Sequence, residues 1–163
     1  MLPQKTTATV LYTAPSLTHL IKTYRGKLNN LFDYTYNCQG IDAEVLFEAI
    51  VLTMEMVEAL SLLKNALDTA VSLLTERERE VVRSHYYKNR SLSKIAEHMN
   101  LEEHQIRFLK DEALKKLSRN IECLGFSNER IIEAFNDVEL FIDSARQVEE
   151  LYVEREYDTG KDT

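Results

Sequence analysis

Hydrophobic positions recur along this chain in steps of three and four, and the breaks between them divide it into helices. Leu17, Leu20, Ile21, Tyr24, Leu28, Leu31 and Phe32 form one such stripe, the spacing of an amphipathic helix. Pro15-Ser16 offers its start, and the Asn, Gln and Gly among residues 37–40 offer its end. From residue 42 to about 74 the pattern runs on without a break. Val45, Ala49, Leu52, Met56, Ala59, Leu63, Ala66, Ala70 and Leu73 alternate steps of four and three, which is the seam of a coiled coil. A second stripe, Leu46, Ile50, Val57, Leu60, Leu67, Val71 and Leu74, lies one residue along, interrupted by Thr53 and Lys64. Two adjacent seams make a face too broad for one partner helix, so this helix belongs in a bundle, within the chain or between chains.

After Cys123 and Gly125, Ser127 can cap another helix in which Ile131, Ala134, Val138, Phe141, Ala145, Val148 and Tyr152 keep the same step. Residues 1–14 are polar and Thr-rich without a sustained period, and read as a flexible arm. Residues 154–163 are acidic and contain Gly, and read as a disordered tail. The expectation is an all-α chain, with bundle or coiled-coil-like helices at 15–74 and 127–153 flanking a central domain at 75–120. Leu52, Met56, Leu63, Val138, Phe141 and Val148 are the expected contacts of a homo-oligomer.

Residues 75–120 carry different punctuation. Thr75-Glu76-Arg77-Glu78 is a capping box, in which the Thr hydroxyl accepts from the Glu78 amide and the carboxylate reaches back. A short helix is predicted from there to about Tyr87. Lys88-Asn89-Arg90 breaks it, and Ser91 caps a second helix that turns Leu92, Ile95, Ala96 and Met99 inward. Asn100-Leu101 makes a tight turn. A third helix then starts at Glu102, runs to about Leu117, and buries Ile106, Leu109, Ala113, Leu114 and Leu117. Ala96 is small where the second and third helices must cross closely, and Leu101 plugs the turn, an arrangement that projects the third helix outward. Its open face carries Glu103, His104, Arg107 and Lys110 as one stripe able to enter a major groove.

Charge changes the picture in the same place. The chain as a whole has a formal net charge of −7, which by itself argues against a nucleic-acid partner. Residues 75–120, however, hold 11 Lys and Arg against 8 Asp and Glu, while the remainder holds 9 against 19. One segment therefore faces an anion and the rest faces water or protein. Lys88, Arg90, Ser91 and Lys94 cluster around the helix starts, where they suit DNA phosphates.

The run Ser-Leu-Ser-Lys-Ile-Ala-Glu-His-Met-Asn-Leu-Glu-Glu-His-Gln-Ile-Arg-Phe-Leu-Lys-Asp-Glu-Ala-Leu-Lys-Lys-Leu at 91–117, with Leu-Thr-Glu-Arg-Glu-Arg-Glu-Val-Val at 74–82 before it, resembles region four of bacterial sigma factors. It covers a little over a quarter of the chain. The resemblance implies promoter contact through the third helix and contact with RNA polymerase through the outer side. It places Arg107 at a base-reading position, and Glu103 and His104 at base or phosphate positions. Two residues depart from the pattern: Glu102 stands where sigma factors usually have Ser or Thr, and Glu103 where they often have Arg. The acidic helix start suits the helix dipole but repels phosphates. The layout of a helical N-terminal part before this segment also resembles small phage regulators of the ArpU and RinA kind, which activate late genes.

Other chemistry finds no support in the sequence. Cys38 and Cys123 lie far apart, and His19, His85, His98 and His104 lack ligand spacing, so neither a metal nor a cofactor is expected. No Ser-His-Asp set, Gly-rich phosphate loop or paired carboxylates stand out, so the protein is not read as an enzyme. No apolar run is long enough to cross a bilayer and residues 1–10 lack the layout of a secretory signal, so a cytoplasmic location and no membrane contact are expected. The leading expectation is a sequence-specific regulator of double-stranded DNA. The alternative is a module that docks on RNA polymerase or a sigma factor without reading DNA. Arg107 paired with Glu103 one turn away is a reading that needs no DNA, and Tyr86-Tyr87 is expected to pack against the third helix.

Overall fold

The computed structural model describes residues 1–37 and 40–159, all helix and short connections. Its helices are α1 (Gln4–Thr13), α2 (Leu17–Asn37), α3 (Ala43–Ser72), α4 (Glu76–Val82), α5 (Leu92–Met99), α6 (Glu103–Cys123), α7 (Asn128–Phe135) and α8 (Glu139–Thr159). A single π turn, Arg83–Tyr87, extends α4. The described residues fall into two compact units, one built from Met1–Pro15 with Ala66–Thr163, the other from Ser16–Asn65. Cys38 lies outside the described residues, as do 160–163 of the expected tail.

In the unit Ser16–Asn65, the two stripes of α3 have different fates. Ile50 and Leu60 of the second stripe are buried, while Val45 and Leu52 of the coiled-coil seam are 59% and 58% exposed. Phe32, Phe47 and Met54 are also exposed. Met56 is half-buried. Leu63, expected at an oligomer contact, is fully buried within the chain, so it has no surface left to offer a second copy.

In the other unit, the stretch expected to be a flexible arm is instead α1. Leu2, Val10 and Leu11 are buried, and so are Thr7 and Thr13. The threonine hydroxyls that made this segment look polar donate to helix carbonyls: Thr7 to Pro3 O at 3.1 Å, Thr9 to Lys5 O at 2.9 Å, Thr13 to Val10 O at 2.7 Å. A threonine satisfied in this way can be buried without an unpaired polar group. α1 packs against α8 and α6, and Lys5 Nζ reaches Glu149 at 2.9 Å.

The stretch expected to be one C-terminal helix is two. Ser127 caps α7, accepting from the Arg130 amide at 3.2 Å. The chain then turns through Asn136-Asp137, poor helix formers, and the Val138 carbonyl starts α8 by accepting from Phe141 at 2.9 Å. The turn stacks the Phe135 and Phe141 rings at 4.5 Å between centroids. Val138, Phe141 and Val148 are consequently buried. They are core residues of this unit, not oligomer contacts, because α1 and the α7–α8 turn cover the face that the sequence left open. Residues 154–159 of the expected tail continue α8.

Candidate nucleic-acid interface

The central helices are fixed by the caps their sequences carry. Thr75 accepts from the Glu78 amide, and the Glu78 carboxylate accepts from the Thr75 amide at 3.0 Å. The other Glu78 oxygen accepts from Lys116 of α6 at 2.6 Å, tying α4 to α6. Burial pushes the Glu78 carboxyl up, but the Lys116 and Thr75 hydrogen bonds and the Lys116 charge outweigh it and hold the group below its ordinary value. Ser91 caps α5 by accepting from the Lys94 amide. At its other end Asn100 takes the left-handed conformation, φ 52°, and the Leu101 amide donates to Ala96 O at 3.0 Å, a Schellman closure. Val81, Ile95, Ala96 and Ile106 form the small core between these helices, with Leu92, Met99, Leu101 and Leu109 packed against it.

The connection between α4 and α5 is equally constrained. The π turn widens the helix by one residue, so the Lys88 amide donates to Arg83 O at 3.0 Å. Asn89 is left-handed at φ 51°, and the Arg90 amide returns to Ser84 O at 3.0 Å. His85 Nδ1 donates to Arg90 O at 3.0 Å. Its Nε2 then faces the Tyr12 hydroxyl of α1 at 3.5 Å. Burial lowers the His85 pKa, which favours the neutral ring. Tyr86 is buried edge-on to both Tyr12 and His85, so its main aromatic neighbours lie on α1 and the π turn. Lys88, Arg90 and Lys94 project from this braced segment into solvent, beside the exposed Ser91.

On α6, Glu103, His104 and Arg107 are exposed together. The acidic helix start is not bare charge. His104 Nδ1 lies 3.2 Å from Glu102, and the Arg107 guanidinium donates to Glu103 at 3.2 Å. The Glu102 amide donates to Gln105 Oε1 at 3.0 Å. Lys110 does not share this face. It is 2% exposed, on the stripe of Ile106, Ala113, Leu114 and Leu117, with Asp111 at 3.7 Å. Its long aliphatic stem lets it occupy a core register. In its place the surface offers Phe108, 65% exposed, one turn from His104. The signal was present: Phe108 falls outside the buried stripe, and a large apolar side chain on an open recognition face asks for an apolar partner such as a thymine methyl group. Arg79 of α4 is engaged by the protein itself, donating to Ser72 O and Leu74 O at 2.9 and 3.0 Å. There it caps the C-terminus of α3.

Among the described residues, no group of three or more His, Cys, Asp or Glu could hold a metal ion, and no helix is long and apolar enough to cross a membrane. Compared with known families, residues 70–119 match the model of sigma-70, region 4. This segment is a sigma region-four-like helix-turn-helix, the DNA-binding kind found in transcription regulators. The curated proteins and the solved structures returned no match.

Proposed function

We propose that this protein is a sequence-specific regulator that binds double-stranded DNA through α6, as a phage or prophage late-gene activator working beside RNA polymerase. The observation that carries the DNA reading is the exposed face of Glu103, His104 and Arg107 on the third helix of a sigma region-four-like domain. Arg107 reads a base, Glu103 and His104 flank it, and Phe108 takes the fourth position that sequence spacing gave to Lys110. Lys88, Arg90, Ser91 and Lys94 hold phosphates on the approach to α5. The late-gene role is supported by the arrangement of helices before the helix-turn-helix, as in regulators of the ArpU and RinA kind. Two copies joined through apolar residues of α3, the exposed Leu52 and the half-buried Met56 among them, favour paired half-sites separated by whole helical turns.

Selection from a pool of random duplexes tests this reading. Recovery of a consensus with two related half-sites is the expected result, and a pool that stays random after repeated rounds would overturn sequence-specific binding. A second reading, docking on RNA polymerase or a sigma factor without DNA, is favoured by the carboxylates at the start of α6 and by the net charge of −7. A random pool together with retention of the protein on purified polymerase would support it.

A further inference from the structure

A cavity of about 420 Å³ opens between α1, α7 and α8, within one compact unit. Phe135, Phe141 and Val148 line it and are buried, the two rings stacked at 4.5 Å with 9° between their planes. Ile132 of α7 and Ile142 of α8 line it too, yet they are 53% and 43% exposed. Two isoleucines left in water around an aromatic floor present apolar surface that a ligand would cover. Thr6, Thr9, Lys5 and Glu149 also belong to the wall, and all four are engaged within the chain. The Thr6 hydroxyl donates to Asn128 Oδ1 at 2.7 Å, and that of Thr9 to Lys5 O at 2.9 Å. Lys5 and Glu149 pair with each other at 2.9 Å. A charged occupant would give up hydration here and have to break that pair to regain a counter-charge. Asn136, exposed at the end of α7, leaves an amide for one hydrogen bond.

We propose that this cavity binds a small, uncharged, mainly apolar molecule bearing a ring, seated on Phe135 and Phe141 and covered at its sides by Ile132 and Ile142. Three observations point to this occupant. The volume lies in the range of small-molecule pockets, and an apolar wall with few polar groups is their usual character. The cation and the carboxylate of the wall already satisfy each other, which selects a neutral molecule over an ion. The phenyl rings of the floor offer flat apolar surface and favour a ring over an open chain. The site shares no residue with the exposed face of α6. It does not depend on the DNA reading, and its test contains no DNA.

A fluorescence titration of the full chain would use N-phenyl-1-naphthylamine, an uncharged probe that brightens in apolar surroundings, beside 8-anilinonaphthalene-1-sulfonate, the same rings with a sulfonate added. Saturable one-to-one binding of the uncharged probe is expected, at least about tenfold tighter than that of its sulfonate. Ala145 lines the cavity and is exposed, so Ala145→Trp should fill the space and abolish saturable binding while circular dichroism stays unchanged. Ile132→Ser removes apolar surface from the exposed side of α7, should weaken binding at least about fivefold, and carries the test if Ala145→Trp does not fold. Tyr36→Ser, which removes an 87% exposed ring of the other compact unit, should leave binding as it is. Absence of saturable binding, the sulfonate bound as tightly as the uncharged probe, or binding unchanged in the folded cavity variants would overturn the proposal. So would a wild-type chain that ignores the probe and sediments faster than Ala145→Trp, since a second copy would then cover the cavity.

Discussion

Replacing Arg107 by alanine should separate what the side chain does for the fold from what it does for DNA. In the free protein the Arg107 side chain is 62% exposed, and its guanidinium pairs with Glu103, one turn away at 3.2 Å. An exposed pair of this spacing is worth about 0.3–0.5 kcal/mol, and the higher helix propensity of alanine offsets part of that. For a chain of this length the melting temperature should therefore move by only about 1–2 °C. On a cognate site the same side chain would give up hydrogen bonds to a base edge, worth about 1–3 kcal/mol. That is a loss of roughly five- to 150-fold in affinity. Fluorescence anisotropy on the selected duplex and on duplexes changed at single positions would measure both the loss and its sequence dependence. Discrimination should collapse at one base pair and survive at the others. An equal loss on selected and random duplexes would reduce Arg107 to a phosphate contact, and no loss on either would remove it from the interface.

Glu103→Gln should tighten DNA binding by about two- to threefold, because it removes a charge that repels phosphate and releases Arg107 from its present partner; weaker binding would mean that Glu103 itself contacts the DNA. Glu78 has a depressed pKa in the folded chain, so its stabilising effect is present above the ordinary value of 4.5 and is lost as pH falls through the folded value. Glu78→Gln should cost about 1 kcal/mol at pH 7 and flatten the loss of stability below pH 4.5 in urea titrations, whereas an unchanged acid limb would show that the tie to Lys116 contributes nothing. Leu52→Asp, placed on the exposed seam, should shift sedimentation toward the monomer while leaving helical circular dichroism intact, and a wild-type chain that is already monomeric would refute the α3 contact.

The helix-turn-helix was legible because each of its boundaries is set by a local residue. Thr75 with Glu78, Ser91, and Asn100 cap or terminate helices through atoms within a few positions of themselves, so the sequence carried the answer without tertiary information. The N-terminal helix was not legible for the opposite reason. Its threonines read as polar until their hydroxyls are seen bonded to the preceding turn, and Leu2, Val10 and Leu11 form no run long enough to show a period. The same hidden helix covers Val148, which the stripe alone assigns to an oligomer contact: an apolar stripe reveals that something covers it, not which segment does. Asn136-Asp137 interrupts the C-terminal stripe without disturbing its step, since Phe135, Val138 and Phe141 stay three residues apart on both sides of the turn.

On α6 the misreading was chemical. Lys110 sits in the register of Ile106, Ala113 and Leu117, yet a cation on an open-looking helix is naturally placed toward an anion. Its burial moves the cationic feature behind the recognition face and leaves Phe108 in front. The proposed phosphate contacts at Lys88, Arg90 and Lys94 depend on a braced connection that sequence could only mark as a break. The π turn, the left-handed Asn89 and the His85 bond to Arg90 O fix that connection. A fixed backbone lowers the entropy cost of presenting three cations together.

The central claim, that the sigma-like segment binds DNA, is tested most directly by measuring the affinity of the full chain for random-sequence duplex across a series of salt concentrations. With Lys88, Arg90 and Lys94 on phosphates, log K should fall linearly against log salt with a slope of about −3 for each bound copy of the chain. Binding that is absent at low salt, or present with a slope near zero, would contradict it.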